Sequence, residues 1–96
     1  EDAAQSIGST LLDRHAGTWG DAAGFSLHPL KNLNAAGDAG FLSTRNADAA
    51  ERIRKLRNHG QSDRNTVAEW GVNSRLDTLQ APGPNTTPLT KTGNSV

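Results

Sequence analysis

Residues 22–31, Ala-Ala-Gly-Phe-Ser-Leu-His-Pro-Leu-Lys, give the clearest structural signal in this chain of 96 residues. The small apolar run from Ala22 to Leu27 predicts a short buried strand packed closely against a neighbour. Pro29 ends that strand, because proline has no N–H to donate to a sheet. Lys31 then follows on a loop directly after the strand, which keeps its amine near the fold rather than on a solvated helix face.

The segments around this strand predict an alternation of short elements. Residues 40–44 (Gly-Phe-Leu-Ser-Thr) predict a second strand. Residues 1–10 have no clear period and suit a strand end that leads into a loop or short helix. The glycines and polar residues of 11–20 indicate a turn-rich connector, and residues 61–70 are polar and irregular. A short second helix is predicted over residues 74–80.

The best helix is predicted over residues 47–58, where one apolar stripe repeats at helical spacing through Ala49, Ile53 and Leu56. Asn46 precedes it as an N-cap, and Gly60 follows as the stop. Acidic residues lie in the early turns and basic residues in the late ones, an order that complements the helix dipole. Together with the strands, this helix indicates an α/β fold.

Composition excludes several classes of protein. Hydrophobic residues make up 33% and aromatic residues 4% of the chain, so few large side chains are available for a core. Ten acidic and ten basic residues cancel, which leaves no global field to attract nucleic acid. There is no cysteine for a disulfide, a thiolate metal site or a thiol nucleophile, and no apolar run long enough to span a membrane. We therefore expect the chain to be an excerpt of a longer protein.

Lys31 is the main candidate for chemistry, because a lysine whose pKa is lowered becomes a nucleophile that forms Schiff bases. An enzyme that uses pyridoxal phosphate also needs an acid against the pyridine nitrogen, which Asp2 offers. Gln5 can bond the ring hydroxyl, and Ser26 can present its hydroxyl and N–H to a phosphate. Each of these residues also has a purely structural interpretation. Lys31 would be a surface lysine and Asp2 a cap at a strand end. Gln5 would be a surface amide, and Ser26 a serine bonded to its own backbone.

Two other groups of residues have simpler interpretations. The three histidines, His15, His28 and His59, show no metal-ligand spacing. His28 is near enough to Lys31 in sequence to line the same pocket. Half of the basic residues concentrate around the helix: Arg45, Arg52, Arg54, Lys55 and Arg57. They suit a solvated amphipathic helix, and the alternative is a small binding protein that contacts phosphates through this helix.

Six blocks follow one another along residues 1–81. They are Glu1-Asp2-Ala3-Ala4-Gln5, Gly17-Thr18-Trp19-Gly20-Asp21, Phe25-Ser26-Leu27-His28-Pro29-Leu30-Lys31-Asn32-Leu33, Gly37-Asp38-Ala39-Gly40, Leu56-Arg57-Asn58-His59-Gly60 and residues 71–81. In their order and spacing, these blocks resemble the motifs of the DegT/DnrJ-type sugar aminotransferases.

The resemblance implies part of the large domain of the aspartate-aminotransferase fold, the fold type I of enzymes that use pyridoxal phosphate. It implies transfer of an amino group, typically from glutamate, to a keto sugar attached to a nucleotide. By position, Lys31 matches the lysine that holds the cofactor as a Schiff base and then moves the proton. Asp2 matches the acid at the pyridine nitrogen, Gln5 the residue against the ring and Ser26 the phosphate-binding serine.

The resemblance also implies a cytoplasmic homodimer, with neither nucleic acid nor a membrane as partner. Asn73 or Arg75 lies in the block that reaches the phosphate from the second subunit, and the sequence leaves open which one. Relatives with histidine in place of the lysine act as dehydratases, so Lys31 favours transamination.

The chain departs from the family pattern after residue 81, where Pro82-Gly83-Pro84 breaks the expected helix. Residues 82–96 hold three of the four prolines and almost nothing apolar, and they are predicted to be a disordered, divergent tail. We therefore expect residues 1–81 to be an incomplete catalytic domain, inactive by itself. The alternative is a non-catalytic remnant.

Overall fold

The computed structural model describes residues 1–77, which form six short strands and one helix. They are β1 (Thr10–Leu11), β2 (Arg14–His15), β3 (Ala22–Ser26), β4 (Gly40–Thr44), α1 (Ala47–Leu56), β5 (Gln61–Asp63) and β6 (Thr66–Val67). Residues 1–45, with Leu76 and Asp77, form one compact unit, and residues 46–75 form another. The predicted tail over 82–96 lies outside the described residues.

The first unit is built around β3. Both strands predicted near it are confirmed as strands, although β3 ends at Ser26, one residue before the predicted end, and Ala23 is its one buried residue. β3 pairs with β4 in antiparallel register, from Ala22 opposite Thr44 to Ser26 opposite Gly40. On its other edge, residues 1–3 run parallel to it, with Asp2 beside Gly24. The Gly24 N–H donates to the Glu1 carbonyl at 3.1 Å, and the Ala3 N–H donates to the Gly24 carbonyl at 2.9 Å.

One face of this small sheet is closed by small and aromatic side chains. Ala3 and Ala23 are each 1% exposed, and the parallel pairing places Ala3 beside Phe25 and Ala23 beside Glu1 on this face. The rings of Phe25 and Phe41 form a cross-strand pair on the same face, stacked with centroids 4.6 Å apart and 11° between their planes. Alanines rather than large residues fill this core, as the low aromatic content predicts.

A loop covers that closed face, and the side chain of Glu1 holds it there. Gly17 has φ +86°, and a Cβ at this position would overlap the Phe25 ring. The Glu1 carboxylate accepts hydrogen bonds from Gly17 N–H at 2.8 Å and from Trp19 N–H at 3.0 Å. The bond from Gly17 contributes most to holding the pKa of Glu1 below its ordinary value of 4.5, with Trp19 and Gly20 adding to it and desolvation opposing it.

The turn-rich connector predicted over residues 11–20 contains a β-hairpin that the sequence did not reveal. β1 and β2 pair through Thr10 with His15 and Leu11 with Arg14. The two turn residues, Leu12 and Asp13, have φ of 49° and 58°, as a tight two-residue hairpin turn requires. The prediction missed this turn because glycine or asparagine normally occupies such positions.

The second unit contains the predicted helix and its predicted cap. α1 begins after Asn46, whose Oδ1 accepts the Ala49 N–H at 3.0 Å. Asp48 lies in the first turn and Lys55 in the last, which complements the dipole as predicted. The apolar stripe of α1 is only half-buried. Within residues 1–77, no helix is long and apolar enough to cross a membrane.

The helix ends at Leu56, two residues earlier than predicted, because other backbone groups bond its last carbonyls. Val72 N–H donates to the Leu56 carbonyl and Ser74 N–H to the Arg57 carbonyl, each at 2.8 Å. These two hydrogen bonds hold residues 72–74 against the end of the helix. The helix predicted over 74–80 is therefore wrong for residues 74–77, and the rest of it lies outside the described residues.

The polar stretch 61–70, predicted to be irregular, contains a second small hairpin. β5 and β6 pair through Gln61 with Val67 and Asp63 with Thr66, with an irregularity between the two pairs. The Asp63 carboxylate accepts the Asn65 N–H at 2.9 Å, and this bond lowers the pKa of Asp63. The prediction was wrong because a strand of two or three residues carries no alternation to recognise.

We expect Gly60→Ala to loosen the second unit strongly. Gly60 has φ +71°, and a Cβ there would collide with the Glu69 carbonyl oxygen. Positive φ alone costs an alanine about 1–2 kcal/mol, and the collision adds to that cost. Hydrogen exchange at the His59 and Val72 amides measures the local free energy of opening.

Two matched glycine variants separate strain from collision. Gly8→Ala has the strain without the collision, since its φ is +80° and nothing lies within 4 Å of the new Cβ. Gly24→Ala has neither. Equal losses in local stability at all three positions would contradict the packing described around Gly60.

The Glu1 contact predicts a pH-dependent loop. The pKa of Glu1 is lower in the folded protein than its ordinary value of 4.5. The contribution of Glu1 to loop stability is therefore fully present above pH 4.5 and is lost as the pH falls through the lowered pKa. NMR titration of the Glu1 carboxyl carbon is expected to give a midpoint below 4.5, with the Gly17 and Trp19 amide signals moving at the same pH. Glu1→Gln should abolish that movement, and its persistence would refute the contact.

Candidate functional site

The candidate site lies at the edge of the sheet where two parallel segments end together. Residues 1–3 and β3 run in the same direction, so the residues that follow each of them meet, and such crevices are where α/β sheets bind ligands. A cavity of about 630 Å³, within the range of small-molecule sites, occurs there. It is lined by Ala4, Gln5, Ile7, Ser26, His28, Leu30, Lys31 and Asn32. Three of the predicted residues, Gln5, Ser26 and Lys31, are thus brought together.

A tight turn connects Ser26 to Lys31. The Lys31 N–H donates to the His28 carbonyl at 2.8 Å, which closes a turn with Pro29 in its second position, where the fixed φ of proline is favourable. The Ser26 hydroxyl oxygen accepts the His28 N–H at 3.2 Å. The turn therefore reverses the chain between Ser26 and Lys31, and both residues line the cavity.

The rest of the loop fastens this turn to the sheet. Leu27 N–H donates to the Ala39 carbonyl, and Ala35 N–H donates to the Leu27 carbonyl, both at 2.9 Å. Ala35 is 5% exposed and so anchors the middle of the loop. The Asn34 side-chain amide donates to the Lys31 carbonyl at 3.1 Å. Lys31 thus lies on a loop just past a strand, as predicted.

The Lys31 side chain is half-buried and has no carboxylate partner within the described part of the chain. The other described lysine, Lys55, differs, because its ammonium lies 2.9 Å from the Glu51 carboxylate and this bond raises its pKa. Among the described residues, the Lys31 amine is therefore not held in an ion pair and faces the cavity.

Asp2 lies on the open face of the sheet. Its register partner Gly24 is exposed, and a Cβ on that glycine would meet no atom within 4 Å. Because side chains alternate along a strand, Ser26 points to the same face as residue 24. One Asp2 carboxylate oxygen accepts the Ala4 N–H at 3.0 Å. The predicted acid therefore does not line the cavity itself, but it shares the face that leads to Ser26.

Asn73 and Arg75 belong to the second unit and not to the residues around the cavity. Asn73 pairs with Asn58 in an isolated antiparallel bridge. The Arg75 Nε donates to the Asn73 side-chain oxygen at 3.2 Å, so the two candidates hold each other. The choice between them stays open.

The basic residues of α1 are partly neutralised. Arg52 lies 3.1 Å from the Glu69 carboxylate, and Lys55 pairs with Glu51 one helical turn away. Such pairs weaken the positive field that a phosphate-binding helix needs. They favour the solvated amphipathic helix over the binding-protein alternative.

Sequence reasoning missed several residues that line the cavity. The location of Ala4 and Ile7 depends on the parallel pairing of residues 1–3, a segment too short to carry a periodic signal. His28 does line the cavity, as its closeness to Lys31 in sequence suggested. Its bonds to Leu30 and Ser26 were not foreseen, although the Pro29 turn between them was the available signal.

Comparison with known proteins identifies related sequences and structures. A family profile described as the DegT/DnrJ/EryC1/StrS aminotransferase family matches residues 1–82. A UDP-N-acetyl-3-dehydro-alpha-D-glucosamine 3-aminotransferase of Acidithiobacillus ferrooxidans is 44% identical over 81 residues, which are 84% of this chain and 22% of that protein. A dTDP-3-amino-3,6-dideoxy-alpha-D-galactopyranose transaminase of Aneurinibacillus thermoaerophilus is 49% identical, with the same coverage of each chain.

A solved structure is similar over nearly the same segment. The crystal structure of S. venezuelae DesV in complex with a ketimine intermediate has a TM-score of 0.76 and 42% identity, covering 81% of this chain and 21% of DesV. The chain therefore spans about a fifth of the length of each of these relatives.

Proposed function

Because the chain belongs to the DegT/DnrJ/EryC1/StrS aminotransferase family, we propose that its protein transfers an amino group to a nucleotide-linked keto sugar with pyridoxal phosphate as cofactor. Its fold class is the expected one: an α/β segment of the large domain of the aspartate-aminotransferase fold. The observation that carries the proposal is Lys31, half-buried, without a carboxylate partner among residues 1–77, on a cavity that Ser26 and Gln5 also line.

The donor set around the cavity fits this cofactor. An aldehyde needs an amine, a phosphate needs hydroxyl and N–H donors, and a flat ring needs an unobstructed surface. Lys31 and Ser26 supply the first two, and the bare backbone at Gly24 leaves the adjoining sheet face open. The cofactor supplies an electron sink that stabilises negative charge on the substrate carbon.

Each predicted residue has a distinct role in this proposal. The Lys31 amine holds the cofactor and afterwards carries the proton to and from the substrate carbon, where its fixed position supplies proximity. The Ser26 hydroxyl, which already accepts the His28 N–H, has its own proton left to donate to a phosphate oxygen. Asp2 keeps the ring nitrogen protonated, and Gln5 bonds the ring hydroxyl.

The remaining assignments concern the whole protein. Glutamate is the proposed amino donor, and a homodimer is the proposed assembly, with Asn73 or Arg75 reaching the phosphate of the other subunit. Residues 1–81 are proposed to be part of the large domain and residues 82–96 a divergent tail. The relatives named for transamination of sugar nucleotides support the substrate class.

We expect pyridoxal phosphate to attach covalently to Lys31. The protein expressed from its complete gene is incubated with the cofactor, reduced with borohydride and digested, and mass spectrometry locates the pyridoxyl group. Lys31→Ala should remove the modified peptide and lower transamination of a keto sugar nucleotide by at least about a hundredfold, the scale on which loss of a general acid–base group acts.

Lys55→Ala is the matched control, because its ammonium is already paired with Glu51 and should keep both readouts. Wild-type protein that gains no pyridoxyl group on Lys31 would exclude the aminotransferase proposal. That result would leave the non-catalytic remnant as the better account.

A further inference from the structure

His28 makes hydrogen bonds to three residues of the turn that carries Lys31. Its N–H donates to the Ser26 hydroxyl oxygen at 3.2 Å, and its carbonyl accepts the Lys31 N–H at 2.8 Å. Its side chain also takes part, because the ring Nδ1 accepts the Leu30 N–H at 3.1 Å. The same side chain lines the cavity. One residue therefore shapes the turn through both its backbone and its ring.

The bond from Leu30 identifies the tautomer of the ring. A backbone N–H can only donate, so Nδ1 must present a lone pair and the single ring proton must lie on Nε2. A doubly protonated ring has no acceptor and would turn an N–H toward the Leu30 N–H. Among the described residues, Lys31 is the other titratable residue that lines this cavity, and its ammonium would then share the cavity with a like charge.

We propose that His28 is a positioning residue: its neutral ring, accepting the Leu30 N–H at Nδ1, fixes the turn that presents the Lys31 amine to the cavity. What Lys31 does there rests on the proposed function, but the turn and its hydrogen bonds do not. The consequence is that gain of a second proton by this ring should loosen the turn and misplace the amine.

Three substitutions separate the acceptor atom from the rest of the ring. Asparagine at position 28 places a side-chain oxygen close to where Nδ1 lies and can accept the N–H two residues onward, but it does not titrate. Glutamine carries its oxygen one bond further away. Alanine has no acceptor. The exposed location of His28 makes all three compatible with folding.

The first readout needs no cofactor. In the protein expressed from its complete gene, His28→Ala and His28→Gln should make the Leu30 amide exchange about tenfold faster, the scale of one lost hydrogen bond, while His28→Asn stays within about threefold of wild type. In wild type, protection of this amide should fall as the ¹⁵N shifts of His28 report its second proton. The asparagine variant should show no such fall.

The second readout is attachment of pyridoxal phosphate, measured as the fraction of Lys31 fixed by borohydride at increasing cofactor concentration. Half-saturation should move about tenfold higher for alanine and glutamine and should be largely restored by asparagine.

Equal Leu30 exchange in all four proteins would overturn the inference. An asparagine variant as impaired as the alanine variant would overturn it too, because the acceptor atom would then not be what matters. If wild-type protein takes no cofactor on Lys31, the proposed function fails, whereas the exchange series still decides the role of His28.

Discussion

The parallel pairing of residues 1–3 with Gly24 is the constraint on which the rest of the first unit depends. Two backbone hydrogen bonds, from Gly24 N–H to Glu1 and from Ala3 N–H to Gly24, set the register. In that register, the side chains of Glu1 and Ala3 lie on the closed face of the sheet and the side chain of Asp2 lies on the open face. It also makes two chain segments leave the sheet at the same edge, where the cavity forms. A shift by one residue would exchange the two faces and separate the acid from the serine.

The closed face of this sheet must pack tightly and the open face must stay accessible, and the sizes of the side chains differ accordingly. On the closed face, Ala3 and Ala23 allow the neighbouring segments to approach, and the stacked aromatic pair completes the contact. On the open face, Gly24 leaves bare backbone. The cost is a core with no large buried side chain among residues 1–77, while several large apolar side chains remain exposed, including Leu12 at 82% and Trp70 at 97%. Such a core suits a segment of a larger domain.

Local patterns were sufficient to predict the strands at 22–26 and 40–44, the helix after Asn46 and the loop position of Lys31, because each depends on neighbours in sequence. The hairpins and the extended segment 72–74 could not be predicted in the same way. Their hydrogen bonds join residues far apart or lie in turns whose usual glycine is absent, as at Leu12. For the candidate site, residue types indicated Asp2, Gln5, Ser26 and Lys31, but only the three-dimensional register shows that Asp2 lies on the open face rather than in the cavity. The family resemblance supplied their roles, which local physics alone leaves open.

Gly24 separates two properties that are coupled at most positions of a small protein. Its backbone determines the register, yet its missing side chain touches nothing, so the fold does not depend on its being glycine. Larger residues at this position would therefore alter the floor of the open face without disturbing the strands beneath it. A side chain at position 24 would therefore show whether this face must stay bare, because it would obstruct the open surface and leave the strands as they are.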